Sequence, residues 1–152
     1  MKVIVLDSPP LWLLTQTRPD PVAAACRQWV RDLLAACHRV ILPEIIDYEV
    51  RRELLRRGAT ARLSELDRLA GSQPPQCEYL AITTPVMKRA AELWASARQT
   101  GQPTAGDSTI DADMILVAQA ESLNDPDTII ATTNVGHLSR FFPADLWTNI
   151  TP

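Results

Sequence analysis

Val3-Ile4-Val5-Leu6-Asp7-Ser8-Pro9-Pro10 sets the frame for the rest of the chain. Its first four residues are continuous, apolar and mostly β-branched, the pattern of a strand buried on both faces of a parallel sheet. Asp7 ends the apolar run, and Ser8-Pro9-Pro10 reads as a break. In an α/β fold, a carboxylate at the C-terminal end of the first buried strand points into the crevice where ligands bind. The competing reading is that Asp7 simply starts a turn.

Outward from this stretch, strands and helices alternate. A helical apolar spacing covers 22–37, through Val22, Cys26, Trp29, Val30, Leu33, Leu34 and Cys37. A second short strand covers 39–42. A strong helix runs over 44–57, between Pro43 and Gly58, which suit its start and stop. Another helix covers 60–70 and is closed by Gly71, and a loop follows at 73–75. An extended segment spans 79–82. Thr84 as cap and Pro85 at the first helical position open a helix to about 99. A connection rich in glycine fills 100–106, and a helix follows over 107–123. Asn124-Asp125-Pro126-Asp127 is a turn, 128–132 the clearest late strand, 137–142 a helical turn and 146–150 a last strand. This alternation predicts one α/β domain over 1–152 with a mostly parallel central sheet.

Composition narrows the function classes. The chain has 152 residues, 46% hydrophobic and 22% charged, enough for one core and ordinary for a globular protein. No apolar run reaches the roughly 20 residues that span a bilayer, so a cytoplasmic protein is expected. Cys26, Cys37 and Cys77 lack any CxxC spacing; with only His38 and His137 to join them, buried free thiols are expected rather than a zinc site. The net charge of −3 argues against a broad electrostatic grip on nucleic acid but permits a local basic patch beside an acidic pocket.

Further carboxylates join Asp7. Glu49 follows Ile45 by four and Ile46 by three, so it shares a helical side with both. A carboxylate there needs a partner, either a functional one or an ion pair with Arg52 or Arg56. Asp113 interrupts the apolar side marked by Ile110 and Val117. Asp111 falls closer to Ile115 and Ala118, and Asp107 suits a helix cap. Asn134 follows the late strand at the same sheet edge as Asp7. Converging carboxylates repel one another unless a cation neutralises them. Oxygen ligands select the hard ions Mg²⁺ or Mn²⁺. A phosphate loop of the Gly-rich kind and a GxSxG motif are both missing.

In their order along the chain these residues resemble a PIN domain, and most closely the VapC-type ribonuclease toxins of toxin–antitoxin pairs. Val3-Ile4-Val5-Leu6-Asp7-Ser8 resembles the family's first strand and first aspartate. Tyr48-Glu49-Val50-Arg51-Arg52-Glu53-Leu54 resembles its glutamate helix, and Asp113-Met114-Ile115-Leu116-Val117-Ala118 its D-x-x-I-A-A helix. Ile130-Ala131-Thr132-Thr133-Asn134-Val135-Gly136-His137-Leu138 resembles its late T-x-N/D segment. The resemblance implies a three-layer α/β/α fold, Mg²⁺- or Mn²⁺-dependent cleavage of RNA, and frequent dimerisation. It makes Asp7, Glu49 and Asp113 the catalytic and metal-binding set, with Asn134 and Asp111 as further ligands.

The chain departs from the family at the fourth position. Many relatives carry Asp there or three residues later, where this chain has Asn134 and His137. Asp111 or Asp107 are the candidates to compensate. The alternative is a non-catalytic PIN-like module that binds protein or RNA through a degraded metal site. For RNA, Arg52 and Arg56 are the candidates near Glu49, since guanidinium groups suit phosphate. The resemblance also implies an antitoxin lying across a groove between the early helices, with residues 11–14 as an exposed apolar contact. Trp12 and Trp29 are expected in the core.

Overall fold

The computed structural model describes residues 1–71, 77–100 and 107–152, with the side chains of 107–110 outside that description. The loop expected at 73–75, all but Thr100 of the connection at 100–106, and any capping role of the Asp107 side chain fall outside it. In chain order the elements are β1 (Val3–Leu6), α1 (Ser8–Leu14), α2 (Pro21–Ala35), β2 (Arg39–Pro43), α3 (Glu44–Arg56), α4 (Thr60–Leu69), β3 (Glu78–Leu80), α5 (Thr84–Gln99), α6 (Asp107–Ser122), β4 (Thr128–Thr132), α7 (Val135–Leu138) and β5 (Ala144–Leu146). A 3-10 turn at Trp147–Asn149 closes the fold.

The described strands form one parallel sheet in the order β3-β2-β1-β4-β5. All four residues of β1 are buried. Successive side chains of a strand point to opposite faces, so both faces of the sheet are covered. Helices supply that cover, and the arrangement is the expected three-layer α/β/α. The chain leaves β1 toward β2 and later returns on the other side as β4. Strand order therefore reverses at β1, which opens a crevice beyond the C-terminal ends of β1 and β4. Among the described residues no helix is long and apolar enough to cross a membrane.

Several local expectations shift. Ser8-Pro9-Pro10 is not a break but the first turn of α1, with Asp7 as its N-cap. Proline in a first helical turn forfeits only an N–H that has no intrahelical partner. Leu11 and Leu14 are consequently buried rather than exposed, while Trp12 and Leu13 are half-buried. α2 starts at an unforeseen cap, Asp20, whose Oδ1 accepts from the N–H groups of Val22 and Ala23 at 2.8 and 3.2 Å. The cap of α5 is Thr83, one residue before the Thr84 expected. The strand expected at 146–150 is β5 and the 3-10 turn instead. Trp147 in that turn meets Trp29 at a ring distance of 5.5 Å, and the Trp29 indole N–H donates to the Ile150 carbonyl at 2.7 Å. Cys26 and Cys77 are buried free thiols, but Cys37 is exposed, because it leaves α2 in the left-handed region at φ 61°. Gly58 ends α3 in the same way, at φ 62°.

Pro43 precedes α3 and has no side chain that can cap it. Gln119 of α6 takes over part of this task. Fully buried, it accepts from the Ile45 N–H at 3.2 Å and donates to the Leu80 carbonyl at 2.7 Å. One amide thus ties α6 to the start of α3 and the end of β3. The helices it joins are the two that carry Glu49 and Asp113.

Candidate metal centre

Asp7 stands at the mouth of the crevice. Its N–H continues the β1–β4 ladder by donating to the Ala131 carbonyl at 3.0 Å. Its Oδ1 accepts from the Ser8 N–H at 2.7 Å, and its Oδ2 accepts from the Thr132 hydroxyl at 2.7 Å. The carboxylate is buried, and burial pushes its pKa above the ordinary aspartate value despite those two hydrogen bonds. The turn-making and pocket readings of Asp7 are therefore compatible: it caps α1 and sits in the crevice.

Glu49 and Asp113 reach toward the same space from α3 and α6. Glu49 Oε1 accepts from the Ser8 hydroxyl at 3.3 Å, so one serine links Glu49 to the Asp7 cap. Its ion pair with Arg52 is stretched to 3.9 Å. Burial raises the Glu49 pKa first, and the charges of Asp7 and Asp113 raise it further. Burial likewise raises that of Asp113; His137 opposes the rise and Asp7 adds to it. Each acid is half-buried or more; Glu49 feels the charges of Asp7 and Asp113, and Asp113 that of Asp7. The crevice thus gathers carboxylates from three separate elements, with Arg52 and His137 offsetting part of the charge of Glu49 and Asp113.

The other expected residues lie elsewhere or act differently. Asn134 is exposed; its side chain makes no capping bond, but its N–H donates to Thr132 Oγ1 at 2.9 Å. Asp111 is exposed and lines a groove with Met87, Ala90 and Trp94 of α5. It stands two residues from Asp113, roughly 200° around the helix, and so on the far side. Arg52 is exposed, with its guanidinium 5.2 Å from the Tyr48 ring. Arg56 forks Nε and Nη2 onto Glu53, one helical turn back, at 2.9 and 2.6 Å. Trp12 lies between two guanidinium groups, Arg62 at 4.0 Å and Arg57 at 4.9 Å from its ring centroid.

Two partners, Ser8 and Thr132, were not singled out by sequence reasoning, and His137 was named there as a departure from the family pattern rather than as a partner. His137 Nε2 stands 2.8 Å from Asp113 Oδ2, and its ring packs edge-on against Phe141. Thr132 and His137 had a usable signal, since both belong to the segment that leaves β4 at the sheet edge of Asp7.

The donors present suit a hard divalent cation: three carboxylates in mutual repulsion, with hydroxyls beside them. Among the described residues no three ligand-bearing side chains are drawn tightly around one point. Instead Asp7 turns to Thr132, Glu49 to Ser8 and Asp113 to His137.

Searches for a matching family model and for a similar curated protein found none. Solved structures do match. A chain of VapBC2 from Rickettsia felis, in a complex bound to a DNA fragment from the promoter, aligns with a TM-score of 0.68 at 14% identity, over 95% of this chain and 98% of that one. A chain of FitAcB from Neisseria gonorrhoeae aligns with a TM-score of 0.66 at 19% identity, over 97% and 99%. A chain of VapBC-1 from nontypeable Haemophilus influenzae gives 0.63 at 17%, again over 97% and 99%. The chain has a PIN-like fold. At these identities the likeness speaks for the PIN-like backbone and its near-complete coverage of both partners. The positions of Asp7, Glu49 and Asp113 rest on this chain's own geometry.

Proposed function

We propose that this PIN-like chain is a metal-dependent endoribonuclease and the toxin of a toxin–antitoxin pair. The observation that carries the proposal is that Glu49 of α3 lies within electrostatic reach of Asp7, which ends β1, and of Asp113 of α6, beside the switch point of a parallel sheet. The solved neighbours from VapBC complexes support an antitoxin as partner. A homodimer and a cytoplasmic location are the matching expectations.

In this reading Asp7, Glu49 and Asp113 hold Mg²⁺ or Mn²⁺. When bound, such an ion activates water and offsets the charge that develops on a phosphodiester. The chain's own groups prepare the site. Thr132 and the Ser8 N–H fix both oxygens of Asp7, and the Ser8 hydroxyl holds Glu49 toward it. Beside these acids runs a groove of about 540 Å³, lined by Ser8, Pro9, Trp12, Leu13, Glu49, Val50, Arg52 and Glu53. Arg52 on its rim is the phosphate contact. Arg52→Ala is expected to weaken RNA binding by about 1 kcal/mol and to lower the salt slope by about one. Binding of labelled RNA to a cleavage-deficient background over a range of salt measures both.

The test of function is incubation of the purified protein with a mixed RNA pool and Mn²⁺, with and without chelator. Chelator-sensitive fragments are expected. Intact RNA in the presence of folded, manganese-loaded protein would favour the second reading, a non-catalytic protein- or RNA-binding module. That reading draws on Asn134, an exposed neutral amide at the position where relatives place an acid.

A further inference from the structure

We propose that Tyr48 is the surface on which an unpaired RNA base stacks, and that the substrate of this chain is therefore single-stranded RNA. This rests on the endoribonuclease reading and names the form of RNA, which that reading leaves open.

A single exposed aromatic is ordinary; what singles out Tyr48 is its setting. It lies within α3 and is 56% exposed, while Ile45, Ile46, Asp47, Val50 and Leu54 form the buried face of that helix. It immediately precedes Glu49, and so stands about 100° from it around the helix. Arg52 follows by four residues on the same side, with its guanidinium 5.2 Å from the Tyr48 ring centroid. Ring and cation thus form one exposed surface beside Glu49. Trp12, on the other side of Arg52 in the groove, offers no such surface: it is half-buried, and Arg62 and Arg57 already stand 4.0 and 4.9 Å from its ring centroid.

Charge favours a nucleic acid as the occupant. The chain carries a net −3, yet this side of α3 is basic. Arg56 and Arg57 share the single carboxylate of Glu53, at 2.6 to 2.9 Å, and the pair between Arg52 and Glu49 is stretched to 3.9 Å. The guanidinium of Arg52 therefore keeps donors for a phosphate. Cations that hold the backbone, with an aromatic ring beside them for the bases, are the means by which proteins grip single strands. The distance between Tyr48 and Arg52 lets one nucleotide lay its base on the ring and its phosphate on the guanidinium. In a duplex the base faces are already stacked on one another, so the ring would gain nothing from it. A strand held in this way lies beside Glu49, one residue further along the chain.

Fluorescence anisotropy of the full chain tests this with two labelled probes, an unstructured RNA oligomer of mixed sequence and an RNA hairpin, both in an Asp7→Asn background to prevent cleavage. Tyr48→Ala is expected to weaken binding of the unstructured oligomer by roughly tenfold. Its salt slope should stay as it was, because no phosphate contact is removed, and the hairpin should be little affected. Tyr48→Phe and Tyr48→Trp should restore the affinity. With Asp7 intact, Tyr48→Ala should raise KM for the unpaired oligomer and leave kcat near native. Equal losses for oligomer and hairpin, or a Phe variant as weak as Ala, would show that Tyr48 only props its neighbours, and the inference would fall while the nuclease reading stands. Native RNA affinity in Tyr48→Ala, with a changed assembly mass, would make the ring a protein contact and overturn the inference in the same way. If the native chain neither binds nor cleaves either RNA, the nuclease reading fails and the inference fails with it.

Discussion

Asp7→Asn is expected to lower manganese-dependent RNA cleavage by about a thousandfold, equivalent to about 4 kcal/mol of transition-state stabilisation, while the fold survives. The substitution separates the two tasks of this residue. Asparagine caps helices about as well as aspartate, so the Ser8 N–H keeps an acceptor and α1 still begins there. What is lost is the negative charge in the crevice, together with the oxygen that accepts from the Thr132 hydroxyl. That charge is costly to the folded state, because burial raises the Asp7 pKa above the ordinary aspartate value. A carboxyl whose folded pKa is raised binds its proton more tightly when folded than when unfolded, so stability falls as pH rises through that range. Removing the carboxylate removes this loss. The variant should therefore gain stability relative to the native protein as pH rises. This gain should be complete above the raised folded pKa and vanish as pH falls through the ordinary aspartate range. Urea unfolding at neutral and acid pH, alongside single-turnover cleavage, measures both halves. Undiminished cleavage, or a stability difference that does not move in the variant's favour as pH rises, would overturn this reading of Asp7.

Gln119→Ala is expected to destabilise the fold by about 3 kcal/mol. The side chain is fully buried, and its removal strands two backbone groups, the Ile45 N–H and the Leu80 carbonyl. Leaving a buried polar group unpaired costs about 1–3 kcal/mol each, and the emptied volume adds a cavity term. The effect should reach the acids, since Glu49 and Asp113 ride on the two helices that this amide joins. Gln119→Glu separates packing from hydrogen bonding, as it keeps the volume and an acceptor for Ile45 but not the donor to Leu80. Denaturant midpoints should rank native, then Glu, then Ala. An alanine variant within 0.5 kcal/mol of native, the approximate range of a neutral surface change, would show that the bridge carries no weight.

The acids were legible because their signal is local. Asp7 interrupts a buried strand and Glu49 an apolar helical side, and a charge at such a place has few structural excuses. Asp113 and Asp111 were harder to part, because α6 is apolar nearly all round and helix phase alone does not say which side faces the sheet. The structure decides by setting Asp111 against α5 and Asp113 against His137. The Ser8-Pro9-Pro10 misreading has the opposite cause: proline near a strand end marks both a turn and a helix start, and only the Asp7 cap chooses between them. Contacts such as Ser8–Glu49 and Thr132–Asp7 join residues 41 and 125 positions apart. No periodicity carries such pairings; they exist only once the sheet order is fixed. Arg56 was read as a phosphate candidate beside Glu49, and the structure shows its fork resting on Glu53 one turn away, a pairing that i,i+3 spacing allowed.

In the proposed function Asp7, Glu49 and Asp113 form one cation-binding centre at the C-terminal edge of the sheet. A crystal soaked in Mn²⁺, with data collected for the anomalous signal of manganese, tests it directly. The account predicts an anomalous peak within ligand distance of carboxylate oxygens from all three residues, lost in Asp7→Asn. A peak coordinated elsewhere, or a centre that fills equally well without Asp7, would contradict it.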